Sequence, residues 1–128
     1  MAPIEPYPSR VGIVGVCASG KTTLAVALRA AGYDARQVSQ EHSYVPDLWR
    51  RFSRCEILIF LDVSLDTLRR RLADPTWPDF LYEEQRQRVS AALAACDLYL
   101  DTDSLTPDQI LGCALALLAG RGVIPPGP

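Results

Sequence analysis

The chain alternates short, continuous apolar runs with stretches in which apolar side chains recur at helical spacing. A continuous apolar run predicts a buried strand, and a one-sided helical pattern predicts an amphipathic helix. The predicted strands lie at about 10–15, 35–38, 57–61 and 98–100, and the predicted helices at about 21–31, 47–53, 64–73, 82–96 and 107–120. Strands that alternate with helices predict a three-layer α/β fold, in which a small parallel sheet of about four strands is flanked by helices.

Capping residues and prolines mark the ends of these elements. Ser64 and Asp47 are suited to cap the helices that follow them, and Pro107 occupies a favoured first-turn position. The segment 74–78 contains two prolines and cannot extend a helix, so it predicts a loop tip that exposes Trp77.

Prolines at both ends of the chain predict its domain organisation. They favour an extended lead-in over residues 1–9 and a loose tail over 121–128. The residues between, about 10–120, are expected to form one domain with a single core.

Residues 15–22 match the pattern G-x-x-x-x-G-K-[ST] between the first predicted strand and the first predicted helix. Gly15 and Gly20 lack a Cβ, so the backbone can wrap closely round a polyphosphate and turn its N–H groups inward. Lys21 can reach the β- and γ-phosphates, and the Thr22 hydroxyl can ligate Mg²⁺. The motif predicts binding of a nucleoside triphosphate with Mg²⁺ through Gly15, Val16, Cys17, Ala18, Ser19, Gly20, Lys21, Thr22 and Thr23.

Composition narrows the class of protein. Of the 128 residues, 48% are hydrophobic and 22% are charged, which is typical of a globular domain. The formal net charge of -2 argues against a general nucleic-acid binder, which would be strongly basic. The sequence contains no apolar stretch of about 18 residues or more, which predicts a cytoplasmic protein that does not span a membrane.

The four cysteines, Cys17, Cys55, Cys96 and Cys113, are widely spaced and include no C-x-x-C pair. Their spacing signals no metal site, and reduced thiols in a cytosolic protein are the simplest explanation. Cys17 lies in the loop before a helix, where a thiol can be reactive. The alternative is that Cys17 is a small residue that fills the loop.

Two further blocks, together with the motif, resemble the P-loop kinase group, which includes shikimate, adenylate and thymidylate kinases. One block is the strand and loop at 57–64 followed by the helix at 68–71, and the other is the last strand at 98–103 with the helix start at 105–107. The resemblance covers most of the chain. It implies an ATP- and Mg²⁺-dependent kinase that transfers a γ-phosphoryl group to a small acceptor.

The resemblance also implies roles for three arginines. Arg71 matches the position of an arginine that contacts the nucleotide base in the family. A lid would cover about 74–83, and Arg86 and Arg88 would supply cations that neutralise charge on the transferring phosphoryl group. The alternative for Arg86 and Arg88 is a solvated helix face.

The chain departs from that family between its second and third predicted strands. Only about 18 residues separate Val38 from Ile57, so the acceptor lobe is either missing or reduced to 40–54. The acidic residue that serves Mg²⁺ or the nucleophile is therefore open between Asp62 and Glu41. Asp62 ends an apolar run, where it can hold a metal-bound water or cap the next helix. Glu41 follows the second strand and is otherwise a solvated loop residue.

The same segment is rich in hydrogen-bonding side chains, which favours recognition of an acceptor. His42 is the only histidine of the chain and can be functional or incidental. Trp49 can form an aromatic wall or anchor a short helix in the core. The candidate acceptor-binding residues are Gln40, His42, Tyr44 and Trp49.

Three functional hypotheses follow from these observations. The first is a small-molecule kinase whose candidate catalytic residues are Lys21, Glu41, Asp62 and Arg86, with Thr22 and Asp62 as candidate metal ligands. The second is a nucleotide-binding switch, scaffold or slow NTPase that has lost its acceptor lobe. The third is a homodimer that completes an acceptor site through Trp49 or Trp77.

Overall fold

A computed structural model describes residues 4–125 of the chain. The strands are β1 (Tyr7–Gly15), β2 (Ala35–Gln37), β3 (Cys55–Asp62) and β4 (Leu98–Asp101), and the helices are α1 (Lys21–Ala30), α2 (Leu48–Arg51), α3 (Leu65–Leu72), α4 (Asp79–Arg88), α5 (Ser90–Ala95) and α6 (Pro107–Gly120). The four strands form one parallel sheet in the order β2-β1-β3-β4. The predicted α/β fold with a parallel sheet of four strands is therefore confirmed.

The two central strands, β1 and β3, pair over most of their length. Val11 lies opposite Ile57, and Gly15 lies opposite Leu61. On the other side of β1, the short strand β2 pairs only with Val11 to Ile13. Because all the strands are parallel, their carboxyl ends meet at one edge, where ligands of such sheets usually bind.

Helices cover both faces of the sheet, as continuous apolar strands require. Successive side chains of β1 and β3 point to opposite faces. One face packs on α1 and α6 through Val11, Ile13, Leu24, Leu28, Ile57, Ile59, Leu61, Ala114 and Leu118. The other packs on α2, α3 and α5 through Val14, Val16, Trp49, Leu58, Phe60, Leu68, Val89 and Ala92. The molecule therefore has three layers.

β1 begins at Tyr7, within the predicted lead-in. The Tyr7 N–H donates to the carbonyl oxygen of Arg54 at 2.8 Å, and Tyr7 lies opposite Cys55 in the sheet. Pairing is then irregular up to Val11, and Ser9 between them has a φ of 62°. Residues 1–3 of the predicted lead-in and 126–128 of the predicted tail lie outside the described residues.

The single helix predicted over 82–96 is two helices. α4 ends at Arg88 and α5 begins at Ser90, with Val89 between them at φ -99° and ψ 2°. The prediction of one helix is wrong here because the apolar spacing continues across the break, where Val89 and Ala92 are both buried. No helix within residues 4–125 is long and apolar enough to cross a membrane.

The segment predicted as a lid, 74–83, is a short connection followed by the first residues of α4. Arg69 of α3 donates two hydrogen bonds to the carbonyl oxygen of Trp77, at 3.0 and 2.7 Å. The Trp77 side chain is partly buried and packs on the core cluster that contains α2 and α3. The expected exposure of Trp77 is therefore wrong, because the connection is short and held against the helix layer.

Helix capping follows the sequence at α3 and departs from it at α2. The Ser64 hydroxyl accepts a hydrogen bond from the backbone N–H of Thr67, as predicted for a cap. Asp47 precedes α2, but its side chain makes no capping bond. The carboxylate pairs instead with Arg50 and Arg51 of the same short helix.

Candidate functional site

The loop between β1 and α1 borders a cavity of about 800 Å³ at the carboxyl edge of the sheet. The end of β2 and the 3-10 turn that follows it form a second wall, and the start of α6 forms a third. The residues predicted from the sequence that line this cavity are Cys17, Ala18, Ser19, Gly20, Lys21, Thr22, Thr23, Glu41, His42 and Arg71.

Two glycines permit the path of this loop. A Cβ on Gly15 would lie 2.2 Å from the carbonyl oxygen of Leu61 and 2.7 Å from Oγ of Ser19, so no side chain fits there. Gly20 precedes α1 and has a φ of 101°, in the left-handed region that favours glycine. The loop therefore depends on both glycines of the motif for its shape.

Lys21 is buried against the loop. Its ammonium donates to the carbonyl oxygens of Gly15 and Val16, both at 2.9 Å. It also forms an ion pair with Glu41 at an Nζ–Oε2 distance of 2.7 Å, and the two side chains are only 5% and 4% exposed. A buried charge needs a partner of opposite sign, so the pair ties Glu41 to the loop.

Glu41 reaches Lys21 from the 3-10 turn Gln40–His42, which follows β2. Because β2 is the neighbour of β1, the residues after β2 lie beside the loop. The second carboxylate oxygen of Glu41, Oε1, is buried and has no hydrogen-bond partner within residues 4–125. Glu41 is therefore not a solvated loop residue, and it keeps an oxygen that can accept a proton or bind a cation.

The hydroxyl of Thr22 donates to Oε1 of Gln37 at 2.7 Å. A hydroxyl has one proton and two acceptor lone pairs, so this bond leaves the Thr22 oxygen free to ligate a cation. Sequence reasoning missed Gln37. Its signal was its place at the end of the strand predicted just before Glu41, at the edge where parallel sheets bind ligands.

Gln85 connects α4 to the loop. The Cys17 N–H donates to Oε1 of Gln85 at 2.8 Å, and Nε2 of Gln85 lies 3.1 Å from the Cys17 sulfur. His42 approaches the same sulfur, with its Nε2 at 3.9 Å. Sequence reasoning missed Gln85 because it stands in a strongly polar stretch, and only its burial at 5% exposure distinguishes it.

Hydrogen bonds from Arg71 connect the loop to Thr102, the residue that follows β4. Its guanidinium donates to the carbonyl oxygen of Ala18 at 2.7 Å, and to both the hydroxyl and the carbonyl oxygen of Thr102 at 3.1 and 2.6 Å. The adjacent part of the cavity is mainly apolar and is lined by Leu72, Leu105, Pro107, Ile110 and Leu111. An apolar wall beside a guanidinium is suited to a planar heteroaromatic group.

Asp62 and Arg86 pair with each other at 2.7 Å, and neither is among the residues that line this cavity. The other carboxylate oxygen of Asp62 accepts from the Tyr99 hydroxyl at 2.6 Å. This hydrogen bond, with burial, raises the pKa of Tyr99 to about 12. Burial alone would lower the pKa of Arg86, but the bond to Asp62 raises it. The structure brings neither residue into contact with Lys21.

The four candidate acceptor residues are divided between the site and the rest of the molecule. Gln40 is fully buried and bonds three backbone groups of neighbouring segments. Trp49 is a core residue. Tyr44 is 87% exposed and stacks with Arg88, whose guanidinium lies 4.7 Å from the ring centre. His42 alone of the four lines the cavity.

No protein-family model and no curated protein matches the chain in sequence. The fold and geometry define an α/β protein with a parallel sheet of four strands, in which a glycine-containing loop borders a cavity with polar groups at one end and an apolar wall at the other. A functional conclusion therefore depends on the chemistry of the cavity itself.

Proposed function

We propose that the chain binds a nucleoside triphosphate with Mg²⁺ and transfers the γ-phosphoryl group to a small acceptor. One observation carries this proposal. The motif at 15–22 joins β1 to α1 and presents Lys21 and Thr22 to a cavity of about 800 Å³. Ligand pockets commonly measure about 300–1,000 Å³, and the volume of this cavity lies within that range.

The phosphates would lie against the loop and the base at the apolar end of the cavity. Backbone N–H groups at the start of α1 favour an anion. Lys21 would exchange its two carbonyl acceptors for phosphate oxygens, and Arg71 would lie beside the base. The preference for ATP comes from the resemblance to P-loop kinases.

The donor atoms fit Mg²⁺, which prefers oxygen ligands and keeps several waters. The Thr22 oxygen has free lone pairs because its proton is given to Gln37. Glu41 has a buried oxygen without a partner in the described part of the chain. These two side chains would hold the ion directly or through water, and the ion would neutralise charge on the phosphates.

Glu41 is the residue best placed to activate an acceptor. When Lys21 turns towards phosphate, the Glu41 carboxylate loses its ion pair and can take the proton of an acceptor hydroxyl. The acceptor oxygen then bonds to the γ-phosphorus as the bond from that phosphorus to the leaving nucleoside diphosphate breaks. Asp62 and Arg86 have no part in this proposal, since they bind each other instead.

A second candidate function is a nucleotide-dependent switch with slow hydrolysis. Between β2 and β3 the described chain has only the 3-10 turn and the four-residue helix α2. No residue of the segment 43–54 lines the cavity. So small a segment encloses an acceptor poorly, which would leave water as the nucleophile.

Lys21 is the only lysine of the chain, which permits a direct test of triphosphate binding. An acyl phosphate of ATP acylates amines that lie next to bound phosphates. We expect acylation of Lys21, detected by mass spectrometry, and protection by an excess of ATP with Mg²⁺. The N-terminal amine serves as an internal control for non-specific reaction. Acylation of the N-terminus alone would contradict the proposed binding site.

Phosphorus NMR with nucleosides, sugars and hydroxy acids distinguishes the two functions. A phosphorylated product supports the kinase, and inorganic phosphate alone supports the switch. We expect Glu41→Gln to lower product formation at least about 100-fold, as loss of a general base does. Glu83→Gln, at an exposed position of α4, is the matched control. Equal activity of the two variants would exclude Glu41 as the base.

A further inference from the structure

Three side chains of types that can ligate a metal converge beside the loop between β1 and α1, although the cysteine spacing in the sequence signals no metal site. The sulfur of Cys17, a carboxylate oxygen of Glu41 and Nε2 of His42 all lie within 4.8 Å of one another. Nε2 of His42 lies 3.9 Å from the sulfur and 3.9 Å from Oε2 of Glu41. The loop and the turn after β2 thus bring sulfur, nitrogen and oxygen donors together.

These separations are close to those of a tetrahedral zinc site. Zinc–sulfur bonds of about 2.3 Å and zinc–nitrogen bonds of about 2.0 Å place neighbouring donor atoms about 3.5 Å apart. The 3.9 Å between Nε2 of His42 and the Cys17 sulfur needs only a small approach. The 3.9 Å between His42 and Glu41 is measured to Oε2, the carboxylate oxygen that also pairs with Lys21. The His42 side chain is 59% exposed, so its ring can turn without disturbing the core. Three protein ligands leave a fourth position for water, as in open zinc sites.

The surroundings of the donors support an ion of this kind. Oε1 of Glu41 is buried without a partner in the described residues, so it can bind an ion without the loss of a hydrogen bond. The amide of Gln85, 3.1 Å from the Cys17 sulfur, fixes the position of that sulfur. The positively charged Lys21 ammonium lies next to the other Glu41 oxygen, Oε2. The ammonium also donates to two carbonyl oxygens of the loop, so it does not depend on Glu41 alone for hydrogen bonds. A thiolate and an imidazole select Zn²⁺ over Mg²⁺.

We propose that Cys17, Glu41 and His42 bind a thiophilic divalent metal ion of the Zn²⁺ class, and that this ion excludes the triphosphate from the loop. Cys17 belongs to the loop, and an ion on its sulfur occupies the part of the cavity next to Lys21. The metal site is independent of the proposed function, whereas the exclusion rests on it.

Cobalt spectroscopy on the full chain without nucleotide tests the site. Co²⁺ bound to a thiolate gives an intense near-ultraviolet charge-transfer band, which we expect in the wild-type protein and not in Cys17→Ser. Cys113→Ser, which removes an exposed thiol on α6, is the matched control and is expected to retain the band. Absence of the band from the wild-type protein, or its persistence in Cys17→Ser, overturns the proposal.

Zn²⁺ affinity gives a second measurement that does not depend on how well Cys17→Ser folds. His42 is exposed, so His42→Asn leaves the core intact. Loss of even an outer partner of a metal ligand lowers metal affinity about 10–100-fold. We therefore expect His42→Asn to bind Zn²⁺ at least about 100-fold more weakly than the wild-type protein, as measured by competition with a chromophoric chelator. An unchanged Zn²⁺ affinity overturns the proposal.

The exclusion is tested with a fluorescent ATP analogue in the presence and absence of Zn²⁺. We expect Zn²⁺ to weaken binding of the analogue to the wild-type protein but not to His42→Asn. The analogue can also chelate Zn²⁺ in solution. This chelation changes the apparent affinity of both proteins equally, so it does not alter the difference between the wild-type protein and His42→Asn. Equal effects on the two proteins contradict the exclusion. If the analogue fails to bind even without Zn²⁺, the proposed function fails, and the cobalt result still decides the metal site.

Discussion

At the scale of single residues, the Lys21–Glu41 pair has two roles. The two buried charges compensate each other in the folded protein, and both side chains take part in the proposed reaction. Both side chains are almost completely buried, and each neutralises the other. Removal of one partner leaves an uncompensated buried charge, whereas removal of both does not. The groups that compensate each other's charge in this structure are therefore the same groups that the proposed reaction would use.

This coupling predicts the outcome of a double-mutant cycle. We expect Lys21→Met to lower the free energy of unfolding by about 3–5 kcal/mol, and the further change Glu41→Gln to restore much of that loss. Urea denaturation measures each variant. Arg51→Met, which breaks an exposed pair with Asp47, is the control and should cost less than about 1 kcal/mol. Additive effects of Lys21→Met and Glu41→Gln would show that the pair is not coupled.

The sequence predicted residues of the motif better than their partners. The loop can follow its path only with glycine at positions 15 and 20. Because these positions and Lys21 lie within eight consecutive residues, a short sequence pattern is enough to identify them. The contacts of Lys21 with Glu41 and of Cys17 with Gln85 join segments that are 20 and 68 residues apart. No local pattern encodes such a contact, because it depends on how the strands and helices pack.

At the scale of elements, the start of α6 forms one wall of the cavity. Thr106 and Gln109 make a capping box, in which the Thr106 hydroxyl accepts from the Gln109 N–H and the Gln109 side chain accepts from the Thr106 N–H. Pro107 occupies the first turn of α6, as the sequence predicts. The cap holds the apolar wall in position.

Loss of this cap should destabilise the protein by a measurable amount. We expect Thr106→Ala to lower the free energy of unfolding by about 1 kcal/mol, the usual cost of removing a capping side chain. Urea denaturation measures the difference. Ser104→Ala, at an exposed position just before the cap, should change stability by less than about 0.5 kcal/mol. A Thr106→Ala variant as stable as Ser104→Ala would contradict the role of the box.

Element boundaries were less predictable than element types. Apolar runs and helical periodicity located all four strands and most of the helical segments. The break at Val89 escaped prediction, since a buried residue at a junction keeps the same spacing as one inside a helix. Trp77 likewise packs inward from a connection whose prolines predict only that a helix stops there.

At the scale of the whole molecule, stability should fall in alkaline solution. Burial raises the pKa of the Cys55 thiol from its usual 9.0 to about 11, so folding favours the neutral form. The stabilisation from this neutral thiol is complete below pH 9 and is lost as the pH rises through 11. Tyr99, with a pKa raised to about 12, adds a similar loss at higher pH.

Urea midpoints measured from pH 7 to 11 test this expectation. Between pH 9 and 11, we expect the midpoint of Cys55→Ala to fall less steeply than that of the wild-type protein. Cys113→Ala removes an exposed thiol and should retain the wild-type slope. The comparison uses slopes because the cavity left by Cys55→Ala lowers stability at every pH. Identical slopes for all three proteins would contradict a buried thiol at this position.

The hydrogen bond between the Cys17 amide and Gln85 affects the energetics of any anion that enters the loop. In a loop whose amides face only solvent, a phosphate oxygen displaces water. In this loop, a phosphate oxygen that binds the Cys17 amide also has to replace Oε1 of Gln85, which lies 2.8 Å from the Cys17 nitrogen. Binding is then an exchange of acceptors, with a smaller net gain than a new bond would give. An anion that takes this amide releases Gln85, so occupancy of the loop is communicated to α4.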